Sequence, residues 1–204
     1  MEIMFTNETN NLLNDRQFLS FIGEVKELET ILQNLNLLTY KETKKVKHYL
    51  KTTEYFNDLK LDNELLNKKI ADLSSYELMC FKLLTIISKK PSIIILDNVD
   101  CKICEKYKSK LLNFIRLINA SNQIKFIVIS SNTVFLNQIS KECIVMKNGI
   151  IKHQGKIIDG IKSEEIKKCE IIDFIDIANQ KKNAKLDYYL ETKELLKAIY
   201  RSVF

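Results

Sequence analysis

The chain has 204 residues, of which only four are glycine and one is proline, where average usage gives about 14 and about 10. With 46% hydrophobic and 28% charged residues, this composition excludes collagen-like, low-complexity and turn-dense all-β chains, and the length fits one domain, or one with an appendage, around a sizeable core. The net charge of +6 is dispersed: the densest basic stretch, 41–51, is relieved by Glu42, so it reads as a solvated helical surface rather than a specific nucleic-acid groove. No basic segment followed by an apolar one opens the chain, and no apolar run approaches the about 18 residues of a membrane span. Five cysteines without a disulfide-like framework fit a reducing compartment. A cytoplasmic location is expected.

In chain order, the apolar residues of 15–38 fall at Phe18, Ile22, Val25, Leu28, Leu32 and Leu35, the three-and-four spacing of an amphipathic helix. A second helix is expected over 42–56, and the asparagine-rich 58–72 reads as a loop with a short helical turn. Ser74 or Ser75 caps a helix running to about Ser88. Pro91 stops it, and Ile93-Ile94-Ile95-Leu96 runs into Asp97 as a strand buried on both faces. A helix near 105–119, a second buried strand over 124–129 and a helix over 133–141 follow, an alternation that implies a parallel α/β sheet. Asn148-Gly149 between two apolar runs is a two-residue hairpin turn. The remainder, 163–204, reads as helical, with Leu186, Leu190, Leu195 and Ile199 on one face. Tyr188, Tyr189 and Phe204 read as core-facing anchors there rather than as a base-stacking platform.

Cys101-Lys102-Ile103-Cys104 is a single C-x-x-C, and His48 and His153 lack ligand spacing, so neither a metal nor a redox centre is expected. The more informative signal is the order of several short motifs. Leu73-Ser74-Ser75-Tyr76-Glu77 precedes a helix, a proline and the apolar strand ending in Asp97. Ile129-Ser130-Ser131-Asn132 follows the second strand, and Lys147-Asn148-Gly149 with Gly155 closes the hairpin. This series resembles the ATP-binding cassette (ABC) ATPases: their LSGG[QE] signature, Walker B strand, switch-histidine loop and terminal hairpin. Upstream, the segment 5–10, which contains Asn7, resembles a Q-loop, and Phe18-Leu19-Ser20-Phe21-Ile22 the helix after it, details similar to ABC-2-type and gliding-motility exporters. The resemblance covers 4–155.

The resemblance implies an α/β, P-loop NTPase-like, three-layer domain over 1–160. It would carry a helical insert over 15–72, lack the P-loop strand and first helix, and end in a β-hairpin, with a helical extension over 161–204. It places residual nucleotide contacts at Asn7, Asp97 and the five residues Leu73, Ser74, Ser75, Tyr76 and Glu77, with Mg²⁺ held through water at Asp97 only if a nucleotide binds. It also places a groove for a permease's coupling helix at Phe18, Phe21 and Val25, against which stands burial of the same residues in the chain's own core.

The chemistry departs from the family pattern. No Gly-x-x-x-x-Gly-Lys-Ser/Thr exists in these residues, so Mg-ATP lacks its phosphate-binding loop. Asn98 stands where the general base would be, and an amide cannot accept the attacking water's proton. Asn132 replaces the switch histidine, and Ser75-Tyr76 replace the signature glycines, which restricts backbone approach to a phosphate. Glu77 also reads as a helix cap. The sequence therefore points to a non-hydrolysing relative that acts by association with a membrane permease, an intact ABC ATPase, or a second copy of itself. A half-ATPase completed by a separate P-loop polypeptide, and an α/β regulatory protein unconnected with transport, stand as alternatives.

Overall fold

The computed structural model describes residues 2–7, 16–32, 34–182 and 184–203, with side chains to residue 201; the expectations that fall on Asp15 and Phe204 lie outside these. The strands and helices, in order, are β1 (Glu2–Thr6), β2 (Phe18–Ile22), α1 (Val25–Glu29), β3 (Asn36–Leu37), α2 (Phe56–Leu59), α3 (Ser75–Ile87), β4 (Ile93–Asp97), α4 (Glu105–Asn122), β5 (Lys125–Ile129), α5 (Thr133–Ile139), β6 (Glu142–Lys147), β7 (Ile150–Lys156), α6 (Ile157–Lys162), α7 (Glu170–Lys182) and α8 (Thr192–Val203). The strands form one mixed sheet in the order β3-β1-β4-β5-β2-β6-β7. β4, β5, β2 and β6 are mutually parallel, while β1 and β7 run antiparallel to their neighbours β4 and β6.

The helix expected from residue 15 is corrected at its start. Phe18–Ile22 is a strand, paired in parallel with β5 on one side and β6 on the other. The apolar spacing fitted a helix because it was counted across Gly23. The five residues before that glycine form an almost unbroken apolar run, which suits a strand buried on both faces. The helix that follows is short, Val25–Glu29. The second expected helix is also largely dissolved: 42–56 holds only a 3₁₀ turn at Val46–His48 before α2. This region is held by pairing of 44–46 with 68–70 and by buried Val46, Leu50, Phe56, Leu59, Leu65 and Ile70.

Alternation across the pleat divides the core in two. Ile94 and Leu96, Phe126 and Val128, and Cys143 and Val145 face the large core under α3, α4, α5 and the C-terminal helices. Ile93 and Ile95, Ile127 and Ile129, Leu19 and Phe21, and Ile144 and Met146 face a smaller core covered by Leu28, Leu32, Val25, Ile31 and Leu35. The result is three layers, with the sheet in the middle.

Three residues proposed from the resemblance as a partner groove are separated by this pleat. Phe18 lies against the large core and Phe21, fully buried, against the small one, with Val25 packed beside Phe21. A spacing of three puts two strand residues on opposite faces, so Phe18 and Phe21 cannot line one groove.

Phe21→Ala is expected to destabilise the fold by about 3–5 kcal/mol, the usual range for emptying a buried phenylalanine site. A urea titration followed by circular dichroism checks it; a groove residue would lose partner affinity with no change in the midpoint.

Candidate functional site at the carboxyl ends of the parallel strands

In open α/β sheets ligands bind beyond the carboxyl ends of the strands. Here that end collects Asp97-Asn98 after β4, Ser130 to Asn132 after β5, Gly23-Glu24 after β2, and the Asn148-Gly149 turn after β6. Backbone bonds fix the row: the Asn98 amide donates to the Ile129 carbonyl (3.0 Å) and the Ser130 amide to that of Phe21 (3.2 Å). The hairpin forms as its sequence demands, with Asn148 and Gly149 both at positive φ, 56° and 72°.

The turn from β2 into α1 is built around a carboxylate. Glu27 is buried, and its Oε2 accepts the Glu24 amide (2.9 Å) while Oε1 accepts the Gly149 amide (3.5 Å). It thereby ties the helix start to the hairpin turn. Only glycine fits at residue 23: a Cβ there would stand 2.6 Å from Glu27 Oε2 and 2.8 Å from the Phe21 ring. A cavity of about 610 Å³ opens beside them, lined by Glu24, Lys26, Lys147 and Thr30 among others. A helix start favours a nearby negative charge, and here the chain's own glutamate supplies it.

Asp97 ends β4 half-buried. Burial pushes its carboxyl above the usual range, the Asn98 amide opposes this, and Glu2 on the adjacent strand raises it further. Asn98 adopts the left-handed conformation (φ 47°) and its Nδ2 donates to Asp97 Oδ1 (2.7 Å). Asn132 is the N-cap of α5, its Oδ1 accepting the Phe135 amide (3.0 Å). Both amides, which stand where the resemblance would place catalytic groups, bond to this chain's own backbone or side chains.

The Leu73 to Glu77 segment is likewise occupied. Ser74 caps α3, and Glu77 Oε2 accepts both the Ser74 amide (2.9 Å) and the Ser74 hydroxyl (2.8 Å), a capping box. Glu77 Oε1 pairs with Lys68 (2.7 Å). Ser75 is exposed and Leu73 half-buried against the large core. Tyr76 is buried, donates to the Leu59 carbonyl (2.8 Å) and stacks on Tyr107 with centroids 3.9 Å apart. Burial raises its phenol, so it anchors α2 to α3 as a neutral group. Among the described residues, no hydrogen bond or ion pair joins this segment to Asp97, Asn98 or Asn132.

Asn7 is corrected as a nucleotide contact. Because β1 runs antiparallel to β4, the chain leaves Thr6 beside Ile93, and the Asn7 carbonyl accepts the Ser92 hydroxyl (3.1 Å). Asn7 thus lies at the amino end of β4, separated from Asp97 by the strand's length, about 13 Å at the usual rise.

The residues present do not fit Mg-ATP. A buried carboxylate occupies the helix start at the centre of the row, and a phosphate there would meet Glu27 and Glu24. Among the described residues no group of three histidine, cysteine or acidic side chains is placed to hold a metal ion. Sequence reasoning passed over Glu27, whose signal was its place three residues after Glu24 behind a lone glycine. It also passed over Asp100, which is buried with Oδ1 lacking a hydrogen-bond partner among the described residues.

Glu27→Ala is expected to lower stability by about 1–3 kcal/mol, because it uncaps α1 and releases the hairpin turn, as read by thermal melting. Glu77 gives a pH-dependent test. Burial alone would raise its carboxyl, but Lys68 and the Ser74 amide and hydroxyl outweigh that and hold it below the usual range. A depressed folded value means that its contribution is present above the unfolded value and is lost as pH falls through the folded one. Glu77→Gln should therefore cost about 1 kcal/mol near pH 7 and have little effect near pH 3, in paired urea titrations.

No family model matches the sequence, and no curated protein matches it. Solved structures do. A structure of an ATP-binding subunit of an ABC transporter aligns over 89% of this chain and 100% of its own, at 10% identity and a TM-score of 0.56. RNase-L Inhibitor aligns over 72% of this chain at 13% identity and a TM-score of 0.54. An archaeal ribosome recycling factor, solved with a ribosomal stalk protein, aligns over 73% at 13% identity and a TM-score of 0.55. This chain spans 36% of the length of each of the latter two. At these identities the likeness concerns architecture: the chain has the P-loop NTPase-like α/β fold of ABC ATPase cassettes.

Proposed function

We propose that this chain is a non-hydrolysing ABC-cassette-like subunit that works by association, seated beside a membrane permease or an intact ABC ATPase at the inner face of a membrane. The observation that carries this reading is the fate of the carboxyl-end row. In the row Asn98 binds Asp97, Asn132 caps α5 and Glu27 fills the helix start after β2; outside it, Glu77 caps α3. Asn98, Asn132, Ser74, Tyr76 and Glu77, positions at which the resemblance implies phosphate or water chemistry, bond within the chain's own fold.

The reading of a half-enzyme completed by a separate P-loop polypeptide finds less support, because the seven strands form one hydrogen-bonded sheet with no gap inside it for a further strand. The division into a cassette over 1–160 and an extension over 161–204 belongs to the same proposal. So does the cassette's lack of its phosphate-binding segment. Among the described residues no helix is long and apolar enough to cross a membrane.

Calorimetric titration of the purified chain with Mg-ATP should show no micromolar binding, and a phosphate-release assay no turnover. The double variant Asn98→Glu/Asn132→His should restore neither, because the phosphate cradle and not only the base is missing. Turnover by the wild-type chain, or its recovery in the double variant, would overturn the proposal.

A further inference from the structure

Among the described residues, the C-terminal helices carry several exposed apolar side chains. In α8, successive residues turn by about 100°, so Leu195, Ile199, Leu196 and Tyr200 fall in that order across one arc. Leu195 is buried and Ile199 half-buried, while Leu196 and Tyr200 are 49% and 65% exposed. One edge of the arc packs on the chain's own core, and the other is the more exposed. Next around the helix from Tyr200 come Lys193, Lys197 and Arg201. The Lys197–Glu194 pair is solvent-exposed, and such pairs hold a lysine only weakly.

In α7, Ile172 and Ile175 are buried, whereas Phe174 and Ile177, each 51% exposed, lie one turn apart and lead to Lys181. That edge of α7 also carries the exposed Glu170, four residues before Phe174, with Asp173 beside it, whereas from Lys181 to the last residue the sequence carries six basic and three acidic side chains. The two helices are tied to one frame: Tyr188 donates to Asp176 (2.8 Å), Leu186 and Asn179 exchange two bonds of 2.8 Å, and Lys141 pairs with Glu191.

We propose that the exposed edge of α8 seats on the surface of an anionic lipid bilayer. The apolar edge enters the boundary between headgroups and acyl chains. The lysines beside it extend their stems along that boundary and place their ammonium groups among lipid phosphates. Charge complementarity selects this occupant. Lysine is depleted from the cores of protein interfaces, yet here it borders the apolar edge directly. A second copy docked face to face would bring the same positive side chains together. The inference stands apart from the ATPase reading, because it uses no residue of the carboxyl-end row.

The test is sedimentation of the full chain with vesicles of phosphatidylcholine alone and with about 30% phosphatidylglycerol, at low and high salt. Binding to the anionic vesicles, weakened by salt and absent from pure phosphatidylcholine, is expected. Leu196→Ser/Tyr200→Ser and Lys193→Glu/Lys197→Glu should each weaken it at least about tenfold, and Phe174→Ser/Ile177→Ser, on the acid-bearing edge of α7, should leave it unchanged. Melting curves accompany each variant, and the charge reversal decides the matter if the serine pair perturbs folding. Failure of the wild-type chain to bind anionic vesicles would overturn the proposal. Unchanged binding by the charge reversal would do the same. So would a dimer, seen by analytical ultracentrifugation and dissolved by the serine pair, in a chain that ignores vesicles.

Discussion

The sheet holds together through one five-residue strand. β5 and β6 do not pair with each other; β2 lies between them and bonds to both, so Phe18–Ile22 joins the β3-β1-β4-β5 half to the β6-β7 half. The same strand connects the layers. Leu19 and Phe21 fill the small core, and Phe18 stacks on Phe126 in the large one. Ser20, fully buried, satisfies its hydroxyl on the Leu136 carbonyl of α5, as a buried donor must. An early segment of the chain thus waits on strands more than a hundred residues away in sequence for every one of its sheet partners, the kind of non-local pairing whose loop-closure entropy is met before contacts repay it.

Where β2 ends, its geometry also sets the chemistry of the site. The turn has room for glycine alone because the Glu27 carboxylate is folded back over it, and that carboxylate reaches across to the hairpin turn. With Asp97 facing Glu2 across the β1–β4 pair and Asp100 buried just beyond, the carboxyl-end row is lined by acids at its backbone level.

The opposite end of the chain follows a different rule. The helices after β7 are fastened at a few points, by Tyr188 on Asp176, Asn179 on Leu186 and Glu191 on Lys141, while much of their apolar surface stays in solvent. Exposed apolar pairs bordered by lysine are unusual in a part that serves only the fold.

Much of the architecture was legible in the sequence, and the reason is locality. Pro91 and the isoleucine run after it specify β4, Ser74 and Glu77 specify the start of α3, and Asn148-Gly149 specifies the hairpin turn, each through contacts with close sequence neighbours. The missing phosphate loop and the two asparagines were likewise plain from the residues themselves. What the sequence could not decide was where residues distant in the chain meet. Helical and strand spacings both fitted 18–35, and only pairing with β5 and β6 made Phe18–Ile22 a strand. Nothing local to Asn7 said that β1 runs antiparallel to β4 and carries it to the far end of the sheet from Asp97. The role of Glu27 depends on Gly149, far along the chain. Residue types fixed what chemistry was available; the order and direction of the strands, set by long-range packing, decided which of those groups share a site.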